Sequence, residues 1–364
     1  MARPIAIDAR LNAYRLGGIA QYTRKLIEHL ARLAPGESWL ALEHRKATAP
    51  VCDHPSVARA RLWTPPHHRF EQIALPAEIA LRRPRLLHSP DFIPPLRRTC
   101  PAIITVHDLA FRLYPEILDD AARRFYGQID RAVRSAEAIL ADSHSTAADI
   151  TRLLGVPAER IDVIHLGTDV RPLTVAPGET RRLGGADWRA GEFITFISTL
   201  EPRKNIPTLL KALRVMIDRD PGAGYRLALA GSRGWLDDEI WACLRDQRLE
   251  DAVGFIEKPS DADVNWLLSA CRVYVNPSRY EGFGLPALDA LACGAPAVVS
   301  ASSSLPEVVG DAAEQAPPDD VGAWADAIGR LWHDPDRRAE LGRLGLRRAA
   351  EFTWERTAAQ TLAV

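Results

Sequence analysis

The sequence predicts an α/β protein with two doubly wound units, each built on a parallel sheet. Three observations support this fold class. Short β-prone runs alternate with helix-like runs along the chain. The length of 364 residues suits two domains better than one. The alternation also restarts after a proline- and glycine-rich stretch between residues 167 and 191. We therefore expect two similar units facing across a cleft, with ligands at the carboxyl ends of the strands.

The first unit is expected to span residues 1–170. Its strands are predicted where β-branched and apolar residues cluster, and its helices where apolar residues recur every three or four positions. The predicted strands cover residues 5–7, 86–88, 102–108, 138–143 and 161–164, and the predicted helices cover 20–33 and 145–154.

A linker is expected over residues 171–190, where periodicity is weak. The residues that interrupt it are Pro172, Pro177, Gly178, Gly184 and Gly185. The second unit is then expected over 191–350. Its predicted strands cover residues 193–198, 225–231, 253–256, 273–277 and 297–299, and the tail over 351–364 is a predicted helix.

Composition and charge exclude several classes of protein. Apolar residues make up 47% and charged residues 26%, which is ordinary for a globular protein. Residues 1–168 carry 23 basic and 18 acidic side chains, a net charge of +5 that is too small for a nucleic-acid footprint. This excess favours either an anionic acceptor or membrane surface, or simply a solvated face.

Cysteine usage and the N-terminal sequence indicate the cellular compartment in which the protein is expected. The five cysteines are scattered, odd in number and without metal-ligand spacing, so we expect reduced thiols. Because the first residues lead straight into a predicted strand, no signal peptide is expected, and no apolar run reaches the roughly 18 residues that span a bilayer. A cytoplasmic protein is expected, either free or peripheral at the inner face of the membrane.

A strand–turn–helix unit near residue 280 carries the strongest chemical signal. Glu281 precedes the turn Gly282-Phe283-Gly284, and a helix follows between Pro286 and Gly294. A helix N-terminus behind glycines is a ready anion site. Glu281 itself is suited to gripping hydroxyls. Asp289 lies eight positions later and falls off the apolar side of the helix, so it is expected to point at a cleft or at water.

A second candidate site follows the strand predicted at 193–198. Glu201-Pro202-Arg203-Lys204-Asn205 places two adjacent cations at a strand end, ahead of an apolar helix. Lysine supplies a point charge and arginine a planar fork, and together they suit a diphosphate. An isolated Arg-Lys pair is more often a solvated turn.

Three further patterns are weaker. Gly17-Gly18 lies between a strand and a helix but lacks the GxGxxG spacing of a dinucleotide-binding enzyme. His107 ends a predicted strand, where it is either structural or directed at a cleft, and Asp108 is expected to fix the turn or orient it. Asp261-Ala262-Asp263 matches a metal-binding Asp-x-Asp pattern, but Ser260 and Asp263 fit a helix capping box better.

Together these residues resemble family 4 of the retaining GT-B glycosyltransferases, over nearly the whole chain. The family carries Glu at both acidic positions of the 280s motif, whereas this chain has Asp289 at the second. The resemblance implies that Glu281 holds the donor sugar and that Asp289 faces the ribose. Because Asp is shorter by roughly one C–C bond, the ribose sits closer, a water bridges, or the contact is absent.

The same resemblance assigns the other site residues. It implies catalytic roles for His107, Glu281 and Lys204, with His107 near the 6-hydroxyl of the sugar and Lys204 on the diphosphate. Backbone of the Gly17-Gly18 turn would approach the donor from the first unit, and backbone at Ile256 would pair with the nucleobase. The full set of implied donor-binding residues is Gly17, Gly18, Ser198, Arg203, Lys204, Ile256, Glu281, Gly282, Phe283, Gly284, Leu285 and Asp289.

The expected activity is transfer of a hexose, mannose from GDP-mannose by branch resemblance, onto a glycan or polyprenyl-linked acceptor of a surface polysaccharide or O-antigen. No metal or other cofactor is expected. Stretches 69–72, 75–76 and 88–90 resemble acceptor-side segments, and the ending at 352–356 resembles a last helix that crosses back to the first unit. Two alternatives stay open: a nucleotide-sugar 2-epimerase on the same fold, and a non-catalytic assembly subunit.

Overall fold

The computed structural model describes residues 3–14, 17–118, 120–234 and 236–364. Every residue predicted for the site lies inside these ranges. The chain forms two compact units, one of Met1–Gly167 with Thr353–Val364, and one of Thr168–Phe352.

The first unit is built on a seven-stranded sheet in the order β3-β2-β1-β4-β5-β6-β7, and every neighbouring pair is parallel. Its strands are β1 Ile5–Asp8, β2 Trp39–His44, β3 Val57–Leu62, β4 Leu86–Ser89, β5 Ala102–Val106, β6 Ala138–Ala141 and β7 Ile161–Val163. Its helices are α1 Gly18–Leu33, α2 Glu71–Ala80, α3 Ala110–Leu113, α4 Asp120–Tyr126, α5 Ile129–Ser135 and α6 His144–Leu154. Strands β4, β5 and β6 are almost wholly buried, as is typical of a parallel sheet, and β5 and β6 are apolar except for Thr105.

The second unit contains a six-stranded parallel sheet in the order β12-β11-β10-β13-β14-β15, and a separate antiparallel hairpin, β8-β9. Its strands are β8 Thr180–Leu183, β9 Ala186–Arg189, β10 Ile194–Ile197, β11 Leu227–Gly231, β12 Val253–Glu257, β13 Val273–Asn276, β14 Ala297–Ser300 and β15 Glu314–Ala316. Its helices are α7 Ile206–Arg219, α8 Asp238–Asp246, α9 Asp261–Ala270, α10 Leu285–Ala292, α11 Leu305–Val309, α12 Val321–His333 and α13 Pro335–Ala349.

The last helix, α14 (Trp354–Ala363), belongs to the first unit. It packs against α1, with the rings of Tyr22 and Trp354 6.3 Å apart. The Thr357 hydroxyl donates to the carbonyl of His165 at 2.7 Å. The return of this helix to the first unit agrees with the family resemblance.

The predicted α/β class with two parallel sheets is confirmed, whereas some elements differ from the sequence prediction. Strands β2 and β3 were not predicted, and residues 180–189 inside the expected linker form the β8-β9 hairpin. The hairpin belongs to the second unit, where the fully buried Trp188 anchors it. No helix among the described residues is both long and apolar enough to cross a bilayer.

Candidate active site

The two loops with the strongest sequence signals leave neighbouring strands of the second unit. Strands β10 and β13 pair in parallel, so their carboxyl ends lie at the same edge of the sheet. The turn Pro202–Lys204 follows β10, and the loop with Glu281 follows β13. Sheet topology thus brings together side chains that are 77 residues apart in the sequence.

Glu281 binds both cations of the predicted phosphate clamp. Its Oε1 accepts hydrogen bonds from Lys204 Nζ at 2.7 Å and from the Ser278 hydroxyl at 2.8 Å. Its Oε2 accepts from Arg203 Nη1 at 3.0 Å, and Arg203 Nη2 also contacts Glu201 Oε1 at 2.7 Å. The carboxylate and the ammonium group are both buried. The sequence placed these residues on different parts of one ligand, whereas here they are each other's partners.

The charges set the protonation of this cluster. Burial by itself raises the pKa of Glu281, but the Lys204 and Arg203 charges outweigh burial and lower that pKa to about 2. Burial, and then the neighbouring Arg203 charge, lower the pKa of Lys204 from its usual value. Arg203 and Lys204 therefore face two carboxylates, those of Glu201 and Glu281, so an incoming polyanion would have to displace a carboxylate to reach the cations.

The backbone around Glu281 is fixed by a serine loop. The Ser304 hydroxyl is within hydrogen-bonding distance of two carbonyls, those of Glu281 and Phe283, both at 2.9 Å. The Ser303 hydroxyl contacts both the N–H and the carbonyl of Glu281. The loop after β14 thus holds the main chain of the glycine-rich turn.

Gly284 cannot be replaced without strain at the start of α10. Its φ is +98°, and a Cβ there would lie 2.7 Å from Leu305 Cδ2. The backbone N–H group of Leu285 lies in the first turn of α10 and that of Gly284 at its N-cap, where a helix lacks internal acceptors. This is the geometry that the anion-site prediction required.

Asp289 is half-buried and bound to another side chain. Its Oδ1 accepts a hydrogen bond from the Thr168 hydroxyl at 2.6 Å. Burial raises the pKa of Asp289 to about 6, although the Thr168 bond acts in the opposite direction. Thr168 thus occupies Oδ1, and the expected ribose contact would fall to Oδ2 of this carboxyl.

The remaining predicted site residues of the second unit are Ser198, which lies against β11, and Ile256, which lies in β12. The Ser198 carbonyl oxygen lies so close to Gly231 that a Cβ on Gly231 would be only 1.8 Å from that oxygen. Ile256 is buried in β12, an outer strand of the sheet. The β8-β9 turn packs on that strand, because a Cβ on Gly184 would meet the Phe255 carbonyl at 2.3 Å. This hairpin contact at the expected nucleobase edge was not foreseen.

The glycine turn of the first unit is open. Gly17 precedes α1 with an extended backbone (φ −75°, ψ −174°), and Gly18 is its first residue. A Cβ on either glycine would meet no described atom within 4 Å. Neither internal packing nor a positive φ therefore explains two glycines here, whereas close approach of a ligand to the main chain would.

His107 is half-buried directly after β5, and both of its ring nitrogens face acceptors. Nδ1 lies 2.6 Å from Asp142 Oδ2, and Nε2 lies 2.9 Å from the carbonyl of Pro90. Burial lowers the pKa of His107, but Asp142 outweighs it and the net shift is upward. Both N–H groups can then donate, which favours the imidazolium form. Asp108 instead accepts from the Ala110 amide at 2.9 Å and so fixes the turn, as expected.

Asp142 is a candidate site residue that the sequence interpretation missed. Its place follows from the folded sheet, where strands β5 and β6 are parallel neighbours with Val106 opposite Ala141. The residues that follow this pair, His107 and Asp142, must then emerge side by side. The prediction had identified both strands but not their adjacency.

The Asp-x-Asp pattern forms a helix cap. The Ser260 hydroxyl accepts from the Asp263 amide at 3.2 Å, and the Asp263 carboxylate accepts from the Ser260 amide at 3.2 Å. The capping box predicted here is confirmed. Asp263 is thereby committed to the N-terminus of α9 rather than to a metal.

Comparisons with known protein families match both units. Residues 16–171 match the family described as Glycosyltransferase Family 4, and residues 189–348 match the one described as Glycosyl transferases group 1. The chain is 35% identical over 281 residues to the O-antigen chain mannosyltransferase B of Escherichia coli, covering 76% of this chain and 73% of that protein.

Solved structures show the same fold at low identity. Sucrose-phosphate synthase from Thermosynechococcus elongatus is similar with a TM-score of 0.79 and 23% identity, over 100% of this chain and 98% of that one. Anabaena HepE, solved in complex with UDP-glucose, is similar with a TM-score of 0.71 and 18% identity, over 100% of both chains.

Proposed function

This chain belongs to glycosyltransferase family 4 and has the GT-B fold; from that premise we propose that it is a retaining enzyme that moves mannose from GDP-mannose to a glycan or polyprenyl-linked acceptor. That it is a glycosyltransferase follows from the family. The choice of mannose and of a surface polysaccharide or O-antigen product is supported by the name of the Escherichia coli relative. A nucleotide-sugar donor is supported by the UDP-glucose bound to HepE.

The observation that carries the proposal is the buried cluster of Arg203, Lys204 and Glu281. A nucleoside diphosphate leaves with growing negative charge, and prearranged cations stabilise that charge best where water is excluded. Lys204 and Arg203 would exchange Glu281 for the diphosphate. The freed Glu281 carboxylate would then accept hydroxyls of the donor sugar.

The Arg203 and Lys204 side chains would neutralise the diphosphate in this step once they release Glu281. The N–H groups at the start of α10 add donors for the same phosphate or for the sugar. We infer metal-independent transfer, since two side-chain cations and a helix N-terminus supply the positive potential that a metal supplies in other phosphate sites.

In the first unit, His107 and the Gly17-Gly18 turn would contact the donor. The His107 Nε2–H would pass from the Pro90 carbonyl to a sugar hydroxyl, while Asp142 keeps the ring oriented and charged. His107 acts here as a hydrogen-bond donor and not as a base, because the departing phosphate accepts the proton of the acceptor hydroxyl.

Nucleotide binding tests the donor site. Thermal stabilisation is measured with GDP, UDP, ADP and dTDP, first without metal and then with Mg²⁺. A ligand at 100 times its dissociation constant adds about 2.7 kcal/mol to the stability of the unit that binds it. We expect GDP to shift the transition and Mg²⁺ to leave the shift unchanged. A shift with UDP alone would replace the proposed donor, and no shift with any nucleotide would refute the site.

A matched pair of variants locates the binding. Arg203→Ala removes a cation of the cluster, whereas Arg279→Ala removes one that contacts only the exposed Asp319 carboxylate at 2.8 Å among the described ion pairs. The first variant should lose the GDP shift and mannose transfer, and the second should retain both. Incubation of GDP-mannose without acceptor separates transfer from 2-epimerisation, because only an epimerase converts the donor alone.

A further inference from the structure

Thr168 is the first residue of the second unit, and it is buried. Its hydroxyl donates to Asp289 Oδ1 at 2.6 Å, and the same oxygen accepts the Val170 amide at 3.1 Å. The backbone N–H of Thr168 donates to the Phe352 carbonyl at 3.2 Å, which holds the residue in place. Because the Val170 amide uses a lone pair of the hydroxyl oxygen, the hydroxyl proton is left for Asp289.

Thr168 is also the group that favours the ionised form of Asp289. Burial and the Asp169 charge raise the pKa of Asp289, and the Thr168 bond lowers it. Two other titratable groups lie near this carboxyl, Tyr274 of β13 and Cys293 after α10, and both stay neutral because burial raises their pKa values. None of the described groups that shift the pKa of Asp289 is a cation. Its negative charge therefore depends on one hydroxyl.

The geometry leaves one oxygen of Asp289 for a ligand. Thr168 occupies Oδ1, whereas no described residue donates a hydrogen bond to Oδ2. Asp289 is half-buried, and Oδ2 is not one of the buried, unpartnered oxygens of the described residues, so it is open to solvent. An aspartate has only two side-chain torsions, so a bond that fixes Oδ1 also fixes the direction in which Oδ2 accepts.

Asp289 and the anion site share one side of α10. Leu285, whose N–H lies in the first turn, is four residues before Asp289, a rise of about 6 Å along the helix. A group joined by a few covalent bonds to a phosphate at the helix N-terminus can therefore reach Oδ2. In a nucleoside diphosphate that group is the ribose, whose hydroxyls are hydrogen-bond donors.

We propose that Thr168 is a positioning residue for the donor ribose: its bond to Oδ1 directs Oδ2 of Asp289 at a ribose hydroxyl. A fixed and ionised carboxylate offsets the shorter reach of aspartate, because the ribose meets an acceptor that is already oriented. This selects direct contact among the three arrangements that the shorter side chain leaves open. The inference rests on the proposed function, since it needs a ribonucleotide donor.

The experiment is calorimetric titration of the full chain with GDP and with 2′,3′-dideoxy-GDP at pH 8. The ratio of the two affinities measures the contribution of the ribose hydroxyls, and in the wild type it should be roughly tenfold or more, as expected for a charged acceptor. Thr168→Val should lower the ratio to about threefold or less while the dideoxy nucleotide binds as before, and Thr168→Ser should restore it.

A matched control and a double variant separate positioning from stability. Thr195→Val removes another buried hydroxyl of the same unit, which donates to the Ala228 carbonyl at 3.4 Å, and should keep the wild-type ratio. In an Asp289→Ala background, Thr168→Val should not change the ratio further, because the threonine acts through the carboxylate. A further loss in the double variant, or equal losses for both nucleotides in Thr168→Val, would overturn the inference.

The pH profile of the wild type is a third readout. The ratio should fall as the pH is lowered through the pKa of Asp289, about 6, because a protonated Oδ2 no longer accepts. Titration of the phosphates affects both nucleotides alike and cancels in the ratio. A ratio near one at pH 8, or one that does not change with pH, would refute this inference alone, whereas a wild type that binds neither nucleotide would refute the proposed function.

Discussion

Replacement of Glu281 by glutamine isolates the electrostatic contribution of the buried cluster. Glutamine keeps the size and one carbonyl oxygen but removes the negative charge that faces Lys204 and Arg203. Alanine would also open a cavity and would mix two effects. We expect the glutamine variant to fold with lower stability and to lose transfer.

The pKa of Glu281 gives the magnitude. It lies at about 2 in the folded chain against an ordinary value of 4.5. Because the folded pKa is depressed, the stabilisation is present above pH 4.5 and is lost as the pH falls towards 2. At about 1.4 kcal/mol per unit, the ionised carboxylate contributes about 3 kcal/mol near pH 7 and about 1 kcal/mol at pH 3. The glutamine variant mimics the protonated form and should lose these amounts.

The assay must measure the unfolding of the second unit by itself, because a chain with two units can unfold in more than one step. Urea denaturation is followed by pulsed hydrogen exchange and mass spectrometry on peptides that cover β10 and β13. The free energy of unfolding of these peptides is compared between wild type and variant at pH 7 and pH 3.

A matched control is Glu340→Gln, which breaks an exposed ion pair with Arg337 at 2.7 Å in the same unit. That pair should contribute less than about 1 kcal/mol at either pH. The reasoning fails if Glu281→Gln costs no more than the control at pH 7, or if its cost does not shrink on acidification.

Three further predictions concern other parts of the site. Asp142→Asn should lower the pKa of His107, which NMR titration measures. The charged ring now stabilises the fold below the wild-type pKa, and this stabilisation disappears as the pH rises through that pKa, so the variant should be less stable at low pH. An unchanged titration would show that Asp142 does not hold the charge. Gly18→Ala should leave thermal stability intact but weaken GDP binding about tenfold or more, whereas Gly329→Ala, also in open space on a helix, should not affect binding; equal GDP affinities would count against ligand approach at this turn. Asp289→Asn should stabilise the chain by up to about 3 kcal/mol above pH 6 and little at pH 4, because the folded pKa of Asp289 is raised to about 6 and its ionisation opposes folding; a stability gain that is independent of pH would contradict this.

The parallel sheets were predictable because several of their strands, such as β6, β10 and β14, are short and mostly apolar runs. Strand β2 was harder to predict, because its six residues include Glu43 and His44, both buried. Burial of Glu43 depends on an ion pair with Arg59 of β3, which is 16 residues away. The β8-β9 hairpin was hidden for the opposite reason. Its strands are short and half-exposed or exposed apart from Trp188, which is the buried residue of the hairpin.

For the site, the residue types and their positions at strand ends could be predicted from the sequence, but the contacts between these residues could not. Glu281 and Lys204 were assigned to different groups of the ligand, and their mutual hydrogen bond follows only from the pairing of β10 with β13. The partner of His107 depends on the adjacency of β5 and β6 in the same way. Contacts of this kind are set by strand order, which local patterns do not encode.

The place of α14 has a consequence for biosynthesis. This helix completes the first unit, yet the ribosome makes it only after the whole second unit, residues 168–352. At translation rates of about 5–20 residues per second, the first unit waits roughly ten to forty seconds for its last helix. During that interval the side of α1 that later packs on Trp354 lacks its cover, so the nascent chain is open to chaperones and to aggregation. A circular permutation that places α14 ahead of β1 should remove this delay and raise the yield of folded protein.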